Sequence, residues 1–287
     1  MQRTIWQITV PQIGFTSEFV MRGILAIAAL HLARLRPSRK EFYMAKGNLH
    51  HQLGLRMATS MLPSISEENC SPLTVFSGLA AIFAMASPRT PEDFLLVNDN
   101  GLADWMILMR GMSSIIDSSK PALHTGALSQ MFQSGHRRFT VRSNEPFKLG
   151  SDHDNQVQAL QQRIMDSCRD PRQAEAYLGA LSELRKSFTV LYTYIDTYEA
   201  TDAFIWVFKI PEAYLELLKE KDQDALCIFA FFCVVMHQLS ALWWAQGWST
   251  HLMNQIYRLM DEEHRWWVQW PIDQIGGMDI LQNSDAS

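Results

Sequence analysis

The side chains that could do chemistry in this sequence stand apart from one another. His50 and His51 are adjacent, so on a helix they diverge and cannot chelate as the i, i+4 histidine pair that zinc takes. Asp152-His153-Asp154 carries metal-ligand types, but it opens a helical stretch, where aspartate caps free amides and complements the dipole. Glu67-Glu68 and Asp261-Glu262-Glu263 offer the carboxylates that acid and base work needs, yet both stand at helix ends in polar stretches and read as solvated faces. The four cysteines, Cys70, Cys168, Cys227 and Cys233, form no C-x-x-C pair. They read as buried thiols of a reducing compartment rather than a zinc knuckle or a disulfide scaffold. G-x-G-x-x-G, the phosphate loop, H-E-x-x-H and G-x-S-x-G are all absent from the sequence. No catalytic residue and no metal ligand is assigned, and an enzyme is not expected.

Two features remain. His237 lies in mid-helix among Phe231, Phe232, Val234, Val235 and Met236; it is either a satisfied core histidine or a polar handle in an apolar cavity. Six of the nine tryptophans fall within residues 243–270, an aromatic excess that fills a core and can also wall a lipid cavity or a partner-helix groove.

The elements that must position these residues are helices. Hydrophobic residues make up 47% of the 287 and charged residues 19%, so the chain has ample apolar surface to fold around. Its formal charge of −5 and dispersed basic residues argue against a nucleic-acid surface, which needs clustered Lys and Arg. Residues 1–10 show no secretory signal. Strict alternation is nearly absent, and helix punctuation is frequent. The spacing predicts a helix from Ser17 to Pro37. It predicts a Ser38–Glu41 capping box, then a helix with Phe42, Ala45, Leu49, Leu53, Met57 and Met61 inward and Pro63 at its end. Further helices are predicted over 66–86 and 102–117, the latter after the turn Asn98-Asp99-Asn100-Gly101. Asp170-Pro171 starts a long helix with Leu178, Leu181, Leu184, Phe188, Leu191, Tyr192 and Ile195 inward. The run 225–245 is long enough to cross a bilayer, but it contains His237, Gln238 and Ser240 and reads as a core helix that Gln246-Gly247 can break. The expectation is an all-α fold: one irregular helical-bundle domain over 1–287, with almost no strand and a flexible loop at 133–150 holding Arg137, Arg138, Arg142 and Lys148.

Residues 19–33, Tyr43, Ala45, His50, Glu68-Asn-Cys-Ser-Pro72, Phe76-Ser77, Trp105-Met-Ile-Leu-Met-Arg-Gly111, Gly247-Trp248 before His251-Leu252, and Trp270-Pro271-Ile272 occur in that order. Over residues 5–276 this pattern resembles the C-terminal regulatory region of fungal binuclear zinc-cluster transcription factors, in the branch of the sterol uptake control proteins. The resemblance implies a nuclear, all-helical effector domain that controls transcription; co-regulators, a homodimer and shuttling with the cytoplasm are further expectations. It implies a sterol or other lipid held in an apolar pocket, and control of sterol or secondary-metabolite genes. On this chain the pocket would run along Phe229, Phe232, Cys233, Met236 and His237 and close with Trp244, Gly247 and Trp248. The family's six-cysteine cluster has no counterpart here, so the expectation is a fragment or a relative without its DNA-binding part. Direct DNA binding is not carried over, and zinc is expected only with an upstream cysteine cluster. The alternative is a ligand-free helical interaction or dimerisation module.

Overall fold

In the computed structural model, residues 5–89, 94, 96–98, 101–103, 106–107, 110–111, 123, 125–129, 138, 140–142 and 152–276 are described. Among these residues the fold is all-α; the exception is a two-residue antiparallel ladder, β1 (Val97–Asn98) with β2 (Gly101–Leu102). That ladder flanks the predicted turn, and Gly101 takes the positive φ of 125° there. By contact the chain divides into two compact units, Met1–Pro88 with Asp104–Arg137 and Arg89–Ala103 with Arg138–Ser287.

The first unit begins with a π-helical turn, Ile5–Thr9, followed by α1 (Val10–Thr16), α2 (Glu18–Leu35), α3 (Lys40–Met61) and α4 (Cys70–Ala86). Extended backbone at Ser17 separates α1 from α2. Its hydroxyl makes no cap bond, so the break comes from the backbone rather than from serine capping. Pro37 ends α2 because it lacks an N–H to continue the ladder. The predicted Ser38–Glu41 capping box does not form: Pro37–Arg39 make a 3-10 turn, and α3 starts at Lys40 with Arg39 at its N-cap and no side-chain cap bond. The 66–86 helix begins late, at Cys70, because Asn69 ties up the turn before it. Ser66 N–H donates to Asn69 Oδ1 at 2.8 Å, and Asn69 Nδ2 donates to the Ser64 carbonyl at 2.9 Å.

The buried face of α3 matches the predicted one only in its C-terminal half, where Met57 and Met61 pack against the core. Gly47, Gly54 and Ala58 are buried, whereas Phe42 and Leu49 are each 48% exposed. The larger side chains yield because α2 and α4 approach the α3 backbone too closely for them. A Cβ on Gly47 would lie 3.3 Å from the Ala26 carbonyl oxygen, and one on Gly54 would lie 2.7 Å from Phe76 Cε2. Around this seam Phe19, Val20, Leu73, Phe76 and Leu79 form the core, with Phe19 edge-on to Phe76 at 5.6 Å. Of the predicted 102–117 helix, Met106, Ile107, Arg110 and Gly111 are helical, with Met106 buried and Ile107 exposed; Trp105, Leu108 and Met112 lie outside the described residues.

The second unit contains α5 (Asp152–Ser167), α6 (Pro171–Thr193), α7 (Ala200–Lys209), α8 (Glu212–Lys219), α9 (Gln223–His237), α10 (Trp248–Leu259), α11 (Glu262–Trp267) and α12 (Gln269–Ile275). Asp170 caps α6 by accepting from Arg172 N–H at 2.9 Å, with Pro171 at the first helical position as the sequence indicates. Leu181, Leu184, Phe188 and Leu191 face inward. Leu178, Tyr192 and Ile195 do not, being 40%, 39% and 54% exposed. Every residue of 225–236 is buried, so α9 is the central helix, apolar on all sides. The apolar run 225–245 does not continue as one helix: α9 stops at His237, turns occupy 238–247, and α10 starts after Gly247. Among the described residues, no helix is long and apolar enough to cross a membrane.

Candidate functional site

Helix α9 is fixed from both ends before its middle can do anything. Asp222 caps it by accepting from Ala225 N–H at 2.9 Å and also accepts from the Tyr177 hydroxyl at 2.7 Å. Burial, then the hydrogen bond to Asp222, raise the Tyr177 hydroxyl far above its ordinary range, so it stays a donor. Near the other end, His237 Nδ1 lies 3.0 Å from Ser249 Oγ on α10. Burial lowers the His237 pKa, so the imidazole is neutral at pH 7 and shares one hydrogen bond with a buried serine. His237 is therefore a half-buried histidine with hydroxyl partners.

Of the predicted ligand-binding residues, Phe229, Phe232, Cys233, Met236 and His237 lie on α9, Trp244 and Gly247 lie in the turns after it, and Trp248 opens α10. Trp206 stacks on Phe232 at 4.2 Å and Phe229 lies 6.0 Å from Phe232; Phe229, Phe232 and Cys233 are fully buried and Met236 nearly so. Burial holds the Cys233 thiol far above its usual pKa, as an inert apolar group. The Trp206 indole N–H donates to the Ala180 carbonyl at 3.1 Å, satisfying its one polar atom inside this stack. Trp244 is half-buried, and Trp248 is 3% exposed.

Gly247 takes φ +79°, the left-handed conformation that glycine adopts without strain. It also opens onto an open groove of about 570 Å³ lined by Arg89, Gly247, Thr250, His251, Asn254, Gln255 and Arg258. Arg89 lies over the Trp248 ring, 5.1 Å from its centroid. Most of the side chains lining this groove carry polar groups, and of the predicted site residues only Gly247 lines it.

This unit also buries charge. Arg138 and Arg142, expected on a surface loop, are 8% and 4% exposed and helical; the rest of 133–150 lies outside the described residues. Arg138 pairs with Asp202 and donates to the Thr197 carbonyl at 2.8 Å. Burial, opposed by hydrogen bonds from Glu199 N–H and Arg138, pushes the Asp202 carboxyl up to about 6. Arg142 donates to Glu183 Oε2 at 2.6 Å and Ser187 Oγ at 2.9 Å. Burial raises Glu183, but the bonds from Lys186 and Arg142 outweigh it and hold the carboxyl below its usual range. The available signal was Glu183 and Ser187, one turn apart on α6, and an aspartate inside the apolar stretch of α7.

Asp152-His153-Asp154 opens α5, with both aspartates in its first turn. Asp154 is fully buried and accepts from Arg185 Nη2 at 2.8 Å. His153 stacks on Tyr192 at 3.8 Å, and Asp152 accepts from the Trp270 indole N–H at 3.1 Å. The three side chains therefore have separate structural partners. His50 and His51 also part: His51 stacks on Phe83 at 4.0 Å, and burial, then Arg22 and Lys46, lower the His50 pKa. Among the described residues, no group of three or more His, Cys, Asp or Glu is placed to hold a metal. A binuclear zinc cluster does not fit the four free thiols of this chain, of which Cys70, Cys227 and Cys233 are buried apart from solvent.

No protein-family model matches the chain, and no solved structure matches it. Similar proteins include a Zn(2)-C6 fungal-type transcription factor of Gibberella zeae, 23% identical over 286 residues, covering 93% of this chain and 56% of that protein. Another is the Zn(2)-C6 fungal-type transcription factor afumD of Aspergillus fumigatus, 22% identical over 186 residues, covering 65% of this chain and 48% of its relative. The chain spans about half the length of the curated relatives it matches.

Proposed function

We propose that this chain is a helical regulatory part of a fungal transcription regulator of the Zn(2)-C6 type, working in the nucleus through contacts with other proteins. The observation that carries the reading is similarity along 93% of the chain to a protein of that name. A regulator rather than an enzyme suits relatives that are transcription factors. Protein contacts, rather than a lipid, suit the packing: Phe229, Phe232, Cys233 and Met236 are buried, with Phe232 stacked between Trp206 and Phe229, while Leu242, Leu259 and Trp266 of the same unit are 37%, 37% and 77% exposed.

A sterol at the α9 residues, and control of sterol or secondary-metabolite genes, rest on the family resemblance alone. To enter there, a four-ring lipid would have to part the Trp206–Phe232 stack. Ergosterol added to the purified chain tests that finer reading, since a ligand bound to the folded state raises the melting temperature by mass action.

The proposed function is tested by tethering. The chain is fused to an unrelated DNA-binding module, and a reporter carrying that module's site is read in a fungal host. A several-fold change in output relative to the module alone is expected. An unchanged output from a folded, nuclear fusion refutes the proposal.

A further inference from the structure

Resting on the proposal that this chain works through contacts with other proteins, we infer that the groove along α10 binds an extended acidic segment of a partner, with a carboxylate near each end and peptide groups between. Gly247, Thr250, His251, Asn254, Gln255 and Arg258 follow one another at alternating steps of three and one residues, so one face of α10 and its N-cap supply six of the seven lining residues. Arg89 is the seventh, and all seven belong to the second unit. It stands at the Gly247 end: a Cβ on Gly247 would lie 3.0 Å from Arg89 Nη2, and the guanidinium lies 5.1 Å from the Trp248 ring centroid. Arg258 comes eleven residues after Gly247, a rise of about 16 Å along the helix. Arg89 and Arg258 are exposed, and Thr250, His251, Asn254 and Gln255 between them are half-buried.

The charge at both ends has one sign. No aspartate or glutamate stands among the seven lining residues, so a carboxylate entering at either end meets a guanidinium and no like charge within the lining. Each guanidinium carries five N–H donors, and it can therefore keep a partner within the chain while it takes a carboxylate. The floor has a different chemistry. The Thr250 hydroxyl and the Asn254 and Gln255 carboxamides each donate and accept, as a peptide group does. Asn254 Oδ1 has no hydrogen-bond partner among the described residues, so turning that carboxamide onto a peptide N–H breaks no bond at this oxygen.

Length and lining select the occupant. A span of about 16 Å is about five residues of extended chain at about 3.3 Å each, so two acids five residues apart reach both arginines. A sugar phosphate both donates and accepts but is shorter than that strand, and citrate or inorganic phosphate would use only the donors of the floor. No Leu, Ile, Val, Met, Phe, Tyr or Trp lines the groove. An amphipathic helix therefore finds no apolar anchor there, and a nucleobase finds no Phe, Tyr or Trp ring to stack on.

The test uses the full chain and a fluorescein-labelled peptide of about ten residues, with two glutamates about five residues apart and Ser, Gly and Ala elsewhere. One copy carries Gln in place of both acids, and a second keeps the acids but has its central amides N-methylated. Fluorescence anisotropy is expected to show saturable binding of the acidic peptide, about tenfold tighter than either copy and weakened by salt. The R258E variant, altered at an exposed position, should bind the acidic peptide about tenfold more weakly; R258Q, which removes the charge without adding one, takes its place should R258E fail to fold. Absence of acidic-peptide binding, equal binding of either copy, wild-type affinity in the Arg258 variant, or tighter binding of glucose 6-phosphate, citrate or a DNA duplex than of the peptide would overturn the inference. The tethered reporter separates the two claims: an active reporter without peptide binding removes this groove alone, whereas peptide binding with a silent reporter removes the regulatory reading alone.

Discussion

Two glycines in the first unit should respond to alanine in opposite directions. Gly54 and Gly78 both lie inside helices, α3 and α4, where replacing glycine by alanine gains about 1 kcal/mol of helix propensity. At Gly78 nothing lies within 4 Å of the added Cβ, so Gly78→Ala should keep that gain and stabilise by about 0.5–1 kcal/mol. At Gly54 the new Cβ meets Phe76 Cε2 at 2.7 Å, Phe76 Cζ at 3.1 Å and the Phe19 carbonyl oxygen at 3.2 Å. The ring is 1% exposed and packed edge-on to Phe19, and the carbonyl belongs to α2, so neither can move aside without opening the seam. Overpacking of this kind costs about 1–3 kcal/mol, which exceeds the propensity gain and leaves Gly54→Ala about 1 kcal/mol less stable than wild type. The two variants should then differ by about 2 kcal/mol, or about 4–8 °C in midpoint for a chain of this size. Thermal and urea unfolding followed by circular dichroism, with hydrogen exchange of α2–α4 as the local readout, measures this. A Gly54→Ala protein stabilised as much as Gly78→Ala would refute the close-packed seam that turns Phe42 and Leu49 outward.

Three other outcomes are expected. Asp154→Ala should destabilise by on the order of 3 kcal/mol, at the lower end for a broken buried pair because the Arg185 side chain keeps 25% exposure; urea midpoints measure it, and a loss under about 0.5 kcal/mol would contradict the pairing. His237 has a folded pKa below the ordinary 6.5. The unfolded chain therefore takes up a proton that the folded chain refuses as pH falls through 6.5, and the stability that neutral His237 contributes at pH 7 is lost on acidification. His237→Asn should flatten this loss in a melting-temperature series from pH 7.5 to about 5, and a wild-type slope in the variant would count against it. Gly247→Ala should cost about 1 kcal/mol from the positive φ, and its Cβ, 3.0 Å from Arg89 Nη2, should shift that guanidinium over Trp248. An unchanged melting temperature together with unchanged tryptophan emission would argue against that local geometry.

Sequence reasoning read the helices well where punctuation is covalent. Pro37, Asp170-Pro171 and Gly247 act where they stand because a missing N–H or a left-handed φ acts locally. It misplaces the first half of the α3 face because periodicity weighs large apolar residues, while close helix approach selects glycine and alanine and turns Phe42 and Leu49 out, even as Met57 and Met61 stay against the core. Arg138 and Arg142 were read as surface charge because their partners, Asp202 and Glu183, lie 64 and 41 residues away, beyond any local pattern. The capping box at Ser38–Glu41 was the wrong one: Glu199 and Asp202 form one at α7, with Glu199 N–H donating to Asp202 Oδ2 at 2.9 Å. An N-cap glutamate lies outside the serine and threonine signature. Phe229, Phe232, Cys233 and Met236 are buried, as an apolar run predicts, but whether such a run closes on itself or around a ligand depends on shape, which periodicity does not encode.

The central claim is that this chain regulates transcription through its helical surface. The most direct measurement is reporter output from the chain tethered to an unrelated DNA-binding module, in cells with normal and with depleted ergosterol. The account predicts a several-fold change from the module alone that is indifferent to sterol level. An output equal to that of the module alone, with the fusion folded and nuclear, would contradict it, and an output that follows sterol would return the lipid to the α9 helix.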